Sequence, residues 1–300
     1  MSESPDCGSP LAPAGGGRKG GPGALCPGAL LSPHALSPPE REAWRRDGFF
    51  IRPRVFAAAE VEELREATEE VVHRAETRAG ESSHRYTIDG HRYVEAELDD
   101  RPSTVQLEHR AGSTTIRVIE PFHHLHASFD ALVDDPRIVD PMRGLVGSER
   151  VALFTDKLNL KRPREGSRFD WHQDSPYWAH FCSHLDRLPN VLVLLDDAGQ
   201  DNGCFRVIRG SHRRGMLPGR QGEGVLGPLF THPDYVDEGQ QVPAELAAGA
   251  AIFFSPHTVH GSAPNRSDRP RRAFVLTYQP ADLRMFKVPV VRNAGAQGQR

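Results

Sequence analysis

The 300-residue chain predicts a mainly β fold, a sandwich or barrel, with flanking helices. Three observations carry this expectation. From about residue 150 onward, short apolar and β-branched runs recur, separated by turns rich in Gly, Asn, Asp and Pro. Those runs do not alternate with helical patterns, which argues against a parallel sheet. Helical periodicity is confined to the first half, and the length accommodates one jelly-roll barrel with helical additions.

The elements follow in order. Residues 1–36 are rich in Gly, Pro, Ala and Ser and bury too little apolar surface to offset their conformational entropy, so a disordered tail is expected. A single domain is expected over 37–290 and a flexible tail over 291–300. Ser37-Pro38-Pro39-Glu40 is a capping-box pattern that starts a helix running to about Arg46. Asp47-Gly48 makes a turn, and Gly48 to Arg52 reads as a strand. A second helix covers about Ala58 to Arg78, with Val61, Leu64, Val71, Val72 and Ala75 as its apolar stripe. Residues 80–118, with Asp89-Gly90 as a turn, read as one or two hairpins. Pro121 to Val146 reads as mainly helical. His123, His124 and His126 lie there without a matching acid or cysteine at helical spacing, so they are expected at a helix edge, bordering a substrate pocket at most. The later strands are expected at Val151–Lys161, Phe169–Asp174, Val191–Asp196, Cys204–Ile208, Ala250–Phe254 and Arg272–Tyr278.

Composition excludes several functions. The net charge of −3 gives no electrostatic footprint for nucleic acid. No run of eighteen apolar residues exists, so no membrane span is expected. Four cysteines, Cys7, Cys26, Cys182 and Cys204, lack metal-binding or redox spacing, which points to a reducing cytoplasm. The expected partner is a small-molecule substrate.

Chemistry concentrates in Trp171-His172-Gln173-Asp174. Residues i and i+2 of a strand face one side, so His172 and Asp174 would both face the barrel interior and Gln173 would not. With 15 histidines, His-x-Asp arises about once by chance. It occurs three times here. His184-Asp186 lies in a polar stretch, and His232-Asp234 has Pro233 between its members and too little chain before the next histidines. Only His172-Asp174 follows a strand-like run and precedes, by about 90 residues, the distal His260-Gly261-Ser262. Two imidazoles and a carboxylate can bind one face of Fe(II) and leave the other open for an organic acid and dioxygen. Arg271, eleven residues after His260, can fork onto the far carboxylate of 2-oxoglutarate. Arg272 alternates to the other strand face and is the weaker choice.

These residues resemble the phytanoyl-CoA dioxygenase family of Fe(II)/2-oxoglutarate oxygenases. The resemblance covers about residues 38–285. It rests on Gly48-Phe49-Phe50, Lys157 to Lys161, Trp171 to Asp174, Asn202 to His212, and His260-Gly261-Ser262 with Asn265 and Arg271. Thr155 to Trp171 is also similar to the ectoine hydroxylases of that family. The resemblance implies a double-stranded β-helix, cupin-like, with helices outside. It implies His172, Asp174 and His260 as ligands, with His257 a rival for the third place. It also implies Ser262, Thr155 and Asn190 as 2-oxoglutarate contacts. Lys157, Asn159 and Lys161 share one strand face, either solvated or facing the interior, and Asn159 suits the interior best because an unpaired buried lysine is costly. Phe169, Tyr177 and Trp178 are expected on the substrate side. Halogenating relatives carry a small residue in place of the carboxylate, so Asp174 implies hydroxylation or a related oxidation. The expected reaction oxidises an aliphatic C–H with release of succinate and CO2. A cupin-type metal enzyme, or a jelly-roll binding protein without 2-oxoglutarate, remains the alternative.

Overall fold

A computed structural model describes residues 32–284 and the backbone of 292–293. The tail expected over 1–36 therefore lies outside the described residues up to residue 31, as does most of 291–300. Within 32–36 the chain is held: Arg52 donates to the carbonyls of His34 (2.9 Å) and Ala35 (3.2 Å).

The helices are α1 (Pro38–Asp47), α2 (Ala58–Glu81), α3 (Ala127–Leu132), α4 (Pro136–Val146) and the short α5 (Ser175–Trp178). Helix α1 starts as its sequence dictates: the Ser37 amide donates to Glu40 Oε2 at 2.9 Å, and the Glu40 amide donates back to Ser37 Oγ. It ends at Gly48, whose φ of +85° suits the left-handed cap. Helix α2 buries the expected stripe, Val61, Leu64, Val71, Val72 and Ala75. The segment expected as one helical stretch after Pro121 breaks into a 3-10 turn, α3 and α4.

Among the described residues fourteen strands form two sheets. The larger contains β1 (Phe49–Arg52), β2 (Arg85–Ile88), β3 (His91–Leu98), β4 (Arg101–Leu107), β5 (Ile116–Glu120), β6 (Val151–Lys161), β8 (Asn190–Leu194), β11 (Ala251–Phe254) and β13 (Arg271–Pro280). Its order is β1-β11-β8-β13-β6-β5-β4-β3-β2, and β14 (Arg292–Asn293) adds to β6. The smaller is β10 (Gln241–Pro243), β9 (Phe205–Ile208), β12 (His260–Ser262) and β7 (Phe169–His172). Every pairing is antiparallel. These two facing sheets form the expected jelly roll.

Two cores follow from the two-residue period of the large sheet. On its outer face Leu158, Leu160, Phe274 and Leu276 pack with Val71, Ala75, Phe129, Ile138 and Met142 of the helices. On its inner face Leu192, Leu194, Ile252 and Phe254 meet Phe205 and Val207 of the small sheet. Burying each such side chain contributes roughly 1.5–3 kcal/mol. Polar residues on the same inner face are thereby carried between the sheets, where the site lies. Among the described residues no helix is long and apolar enough to cross a membrane.

Candidate metal and cosubstrate site

His172 and His260 are direct cross-strand partners of β7 and β12, which brings their ring centroids to 4.2 Å. His260 Nε2 lies 3.8 Å from Asp174 Oδ2. The ligand atoms of His172, Asp174 and His260 all fall within 4.8 Å of one another. The Nδ1 atom of His172 meets the Asp170 carbonyl at 2.7 Å, and that of His260 meets the Thr258 carbonyl at 2.9 Å. Each Nδ1 must carry the proton to make that bond, so each Nε2 is left as a lone-pair donor. Burial first, and then His260, hold His172 well below its ordinary pKa, so the imidazole is neutral, as a metal ligand must be. This donor set suits a facially bound Fe(II).

Asp174 reaches the cluster by a route that strand alternation does not describe. β7 ends at His172, and Asp174 has helical torsions (φ −78°, ψ −30°) at the start of α5. The amides of Asp174 and Ser175 both donate to the Pro256 carbonyl, and Pro176 favours a helix start, so the chain turns there. Asn190 Nδ2 donates to Asp174 Oδ2 at 2.9 Å, and Thr277 Oγ1 donates to Asn190 Oδ1 at 2.6 Å. Asn190, expected to touch 2-oxoglutarate, lines the same cavity and uses its amide to aim the carboxylate. Gln173 turns away, donating to the carbonyls of Gly215 (2.8 Å) and His257 (2.6 Å).

The rival residues are engaged elsewhere. His257 bridges Ser175 Oγ (2.9 Å) and Asp186 Oδ1 (2.8 Å). His184 bonds Gln279, and His232 accepts from the Asp234 amide. His123 pairs with Asp156 at 2.9 Å in the outer core, and none of His123, His124 and His126 lines the site cavity.

That cavity, about 510 Å³, contains all three clustered groups together with Arg271, Ser262, Asn159, Asn190, Phe169, Tyr177 and Trp178. Its volume suits a small ligand beside a cosubstrate. A larger groove of about 1460 Å³ runs between α2 and the β3–β4 hairpin, but the clustered ligands do not line it. Arg271 is 3% exposed, its Nε is buried without a hydrogen-bond partner, and no ion pair reaches it among the described residues. Burial pulls its guanidinium down to about 10. A buried unpaired cation is costly, and a carboxylate ligand removes that cost. Arg272 points the other way, to Asp196 (2.7 Å) and Glu69 (2.9 Å).

The face shared by Thr155, Lys157, Asn159 and Lys161 looks inward, so the solvated alternative fails. Lys161 is 1% exposed and donates to the carbonyls of Ser167 and Ala263, while burial and then the Arg271 guanidinium hold its pKa well below the ordinary lysine value. Burial works against the charge of Lys157, but Glu120 and Asp174 more than offset it. Thr155 does not line the cavity, because its hydroxyl donates to Glu120 at 2.9 Å. Trp178 packs edge-on against Phe154 at 5.3 Å, while Tyr177 stands edge-on to His172 at 5.9 Å. Sequence reasoning missed a whole wall: His91, Tyr93, Gln106, His109, Arg117 and Glu120 also line the cavity. Only the sheet order β6-β5-β4-β3 reveals it.

Fold and site together define a class, the non-haem iron oxygenases that use 2-oxoglutarate. A family model described as phytanoyl-CoA dioxygenase matches residues 44–273, and the chain belongs to that family. It is 31% identical over 185 residues to a probable alpha-ketoglutarate-dependent hypophosphite dioxygenase of Stutzerimonas stutzeri, covering 60% of this chain and 63% of that one. It is 27% identical to a methylphosphonate hydroxylase of Gimesia maris, covering 81% and 80%. The crystal structure of EctD from S. alaskensis with 2-oxoglutarate and 5-hydroxyectoine superposes with a TM-score of 0.62 at 25% identity, covering 82% and 76%.

Proposed function

We propose that the protein, an Fe(II)/2-oxoglutarate-dependent dioxygenase, hydroxylates an aliphatic C–H bond of a small polar metabolite or natural-product scaffold. His172, Asp174 and His260 hold the iron, and Arg271 with Ser262 holds the distal carboxylate of 2-oxoglutarate. One observation carries the cosubstrate assignment: an unpaired, buried guanidinium shares a cavity with the three clustered ligands. Cupin chemistry without 2-oxoglutarate leaves that arginine unexplained. When bound, iron and 2-oxoglutarate supply the oxidation, consuming dioxygen and releasing succinate and CO2.

The protein's own groups orient and exclude. The Asp170 and Thr258 carbonyls fix the two imidazoles, and Asn190 fixes the carboxylate. Asn159 stands at the cosubstrate end, and Thr155 acts through Glu120. Phe169, Tyr177 and Trp178 wall the substrate side. The named relatives and the EctD complex, which act on or hold small polar molecules, support this substrate class. The family match supports one catalytic domain within 37–290. The free, buried Cys182 and Cys204 fit a reducing cytoplasm.

Anaerobic addition of Fe(II) and 2-oxoglutarate to the metal-free protein is expected to give a weak visible charge-transfer band. Arg271→Ala and His260→Ala should each lose it. An iron-loaded protein that shows no band with 2-oxoglutarate refutes the proposal and leaves the cupin-type or binding-protein alternative.

A further inference from the structure

The cavity holds a second buried guanidinium besides that of Arg271. Arg117 is 2% exposed and lines the same cavity as Arg271. It is placed there by a bulge. Across β4 and β5, Gln106 faces Val118 and Leu107 faces Ile116, so Arg117 is the extra residue between two paired ones. A bulge of this kind re-aims a side chain. Ile116 enters the outer core, while Arg117 and Val118 both line the cavity.

The partners of Arg117 leave its charge unanswered. Its guanidinium donates to His109 Nε2, to Ser167 Oγ at 2.7 Å and to the Arg168 carbonyl at 2.9 Å. Its Nε is buried with no hydrogen-bond partner, and no ion pair reaches it among the described residues. It lies 3.9 Å over the Phe169 ring, which braces it in place. Glu108 is the carboxylate that favours its charge most, yet Glu108 accepts from the Ser167 amide and does not line the cavity. The neighbouring cations are already committed. Lys157 stands 3.6 Å from Glu120, and Arg168 pairs with Asp170 at 2.7 Å. Among the described residues no carboxylate pairs directly with Arg117, although Glu108 and Asp170 lie near enough to favour its charge, and it lines the β3–β5 side of the cavity with His91, Tyr93 and Gln106.

We propose that Arg117 receives an oxyanion of the substrate, a carboxylate or a phosphorus oxyanion, so that the substrate is a small anion. This rests on the 2-oxoglutarate reading above, in which Arg271 is occupied by the cosubstrate. A charge-assisted, partly bidentate contact in a buried setting fixes the substrate end that does not react and so orients the end that does.

The test uses the full chain, loaded anaerobically with Fe(II) and saturating 2-oxoglutarate. Methylphosphonate and propionate serve as anionic probes; dimethyl methylphosphonate and propionamide are their uncharged counterparts. Binding is read from the change in the charge-transfer band and by calorimetry. At least one anion is expected to bind where its uncharged counterpart does not, and which one binds separates a phosphorus from a carboxylate group. Arg117→Gln should weaken that anion about 30-fold or more, and Arg117→Lys less, with the charge-transfer band intact in both. Anions that bind wild type no better than the uncharged probes overturn the proposal, even if Arg117→Gln fails to fold. Wild-type affinity in a folded Arg117→Gln also overturns it. Loss of the band in Arg117→Gln but not in Arg271→Gln hands Arg117 to the cosubstrate and overturns it too. A wild type that forms no band removes the 2-oxoglutarate reading itself, and this proposal with it.

Discussion

Which nitrogen of each site histidine faces the cluster is decided by a single hydrogen bond to a backbone carbonyl, and the carboxylate is set the same way by Asn190. Removing that amide leaves Asp174 Oδ2 without its donor. Asn190→Ala is expected to weaken iron binding about 10- to 100-fold, as loss of a partner behind a metal ligand commonly does. Thr155→Ala should change it far less, because Thr155 reaches only Glu120. Iron titration of both variants decides; equal losses refute the role given to Asn190. At this scale the sequence was readable where spacing encodes geometry. His172, Asp174, His260 and Arg271 do converge on one cavity. It was unreadable where a residue's role depends on a partner far along the chain. Asn190 finds Asp174 only through the fold, and Asp174 itself leaves the strand because the Pro256 carbonyl captures two successive amides.

Strands β6 and β13 form the spine of the large sheet, with Arg271 opposite Lys161 and Ala273 opposite Asn159. Alternation sends Arg271 inward and Phe274 outward, into the core beneath α3, where it meets Phe122 and Phe129. Phe274→Ala should therefore cost about 3–5 kcal/mol of stability. It should lower the denaturation midpoint while leaving 2-oxoglutarate affinity near wild type in the fraction that stays folded. A denaturation curve unchanged by the substitution contradicts that packing. Elements with local signals were legible: the capping box of α1, the stripe of α2 and the Asp89-Gly90 turn, whose two residues have φ of 49° and 80°. The two-residue period marks a strand but does not name its neighbour, so the β2–β5 hairpins could not be assigned to the cavity wall beforehand. The bulge at Arg117 has no sequence signature, because it exists only as a mismatch between two strands.

Across the whole molecule, burial is the first cause that holds His91, His109, His124, His172 and His212 below the ordinary histidine value of 6.5. Their folded-state values lie below the unfolded one, so the unfolded chain takes up more protons as the pH falls. The stability they contribute is present above about 6.5 and drains as the pH drops through 6.5 toward the depressed values. Urea midpoints of the metal-free protein are expected to fall between pH 8 and pH 5, ahead of any carboxylate titration; a flat profile over that range contradicts it. The division between sheets has a further effect. His172 and His260 belong to the small sheet, while Arg271 belongs to the large one. The space between the sheets is thus a calliper, set by the apolar side chains packed along the rest of the seam. On the reading proposed above, in which Arg271 holds the distal carboxylate, a diacid would span from one jaw to the other, and each methylene more or less would leave one end short of its grip or forced past it. Discrimination by chain length would then be set by the hydrophobic core as much as by the residues that touch the acid.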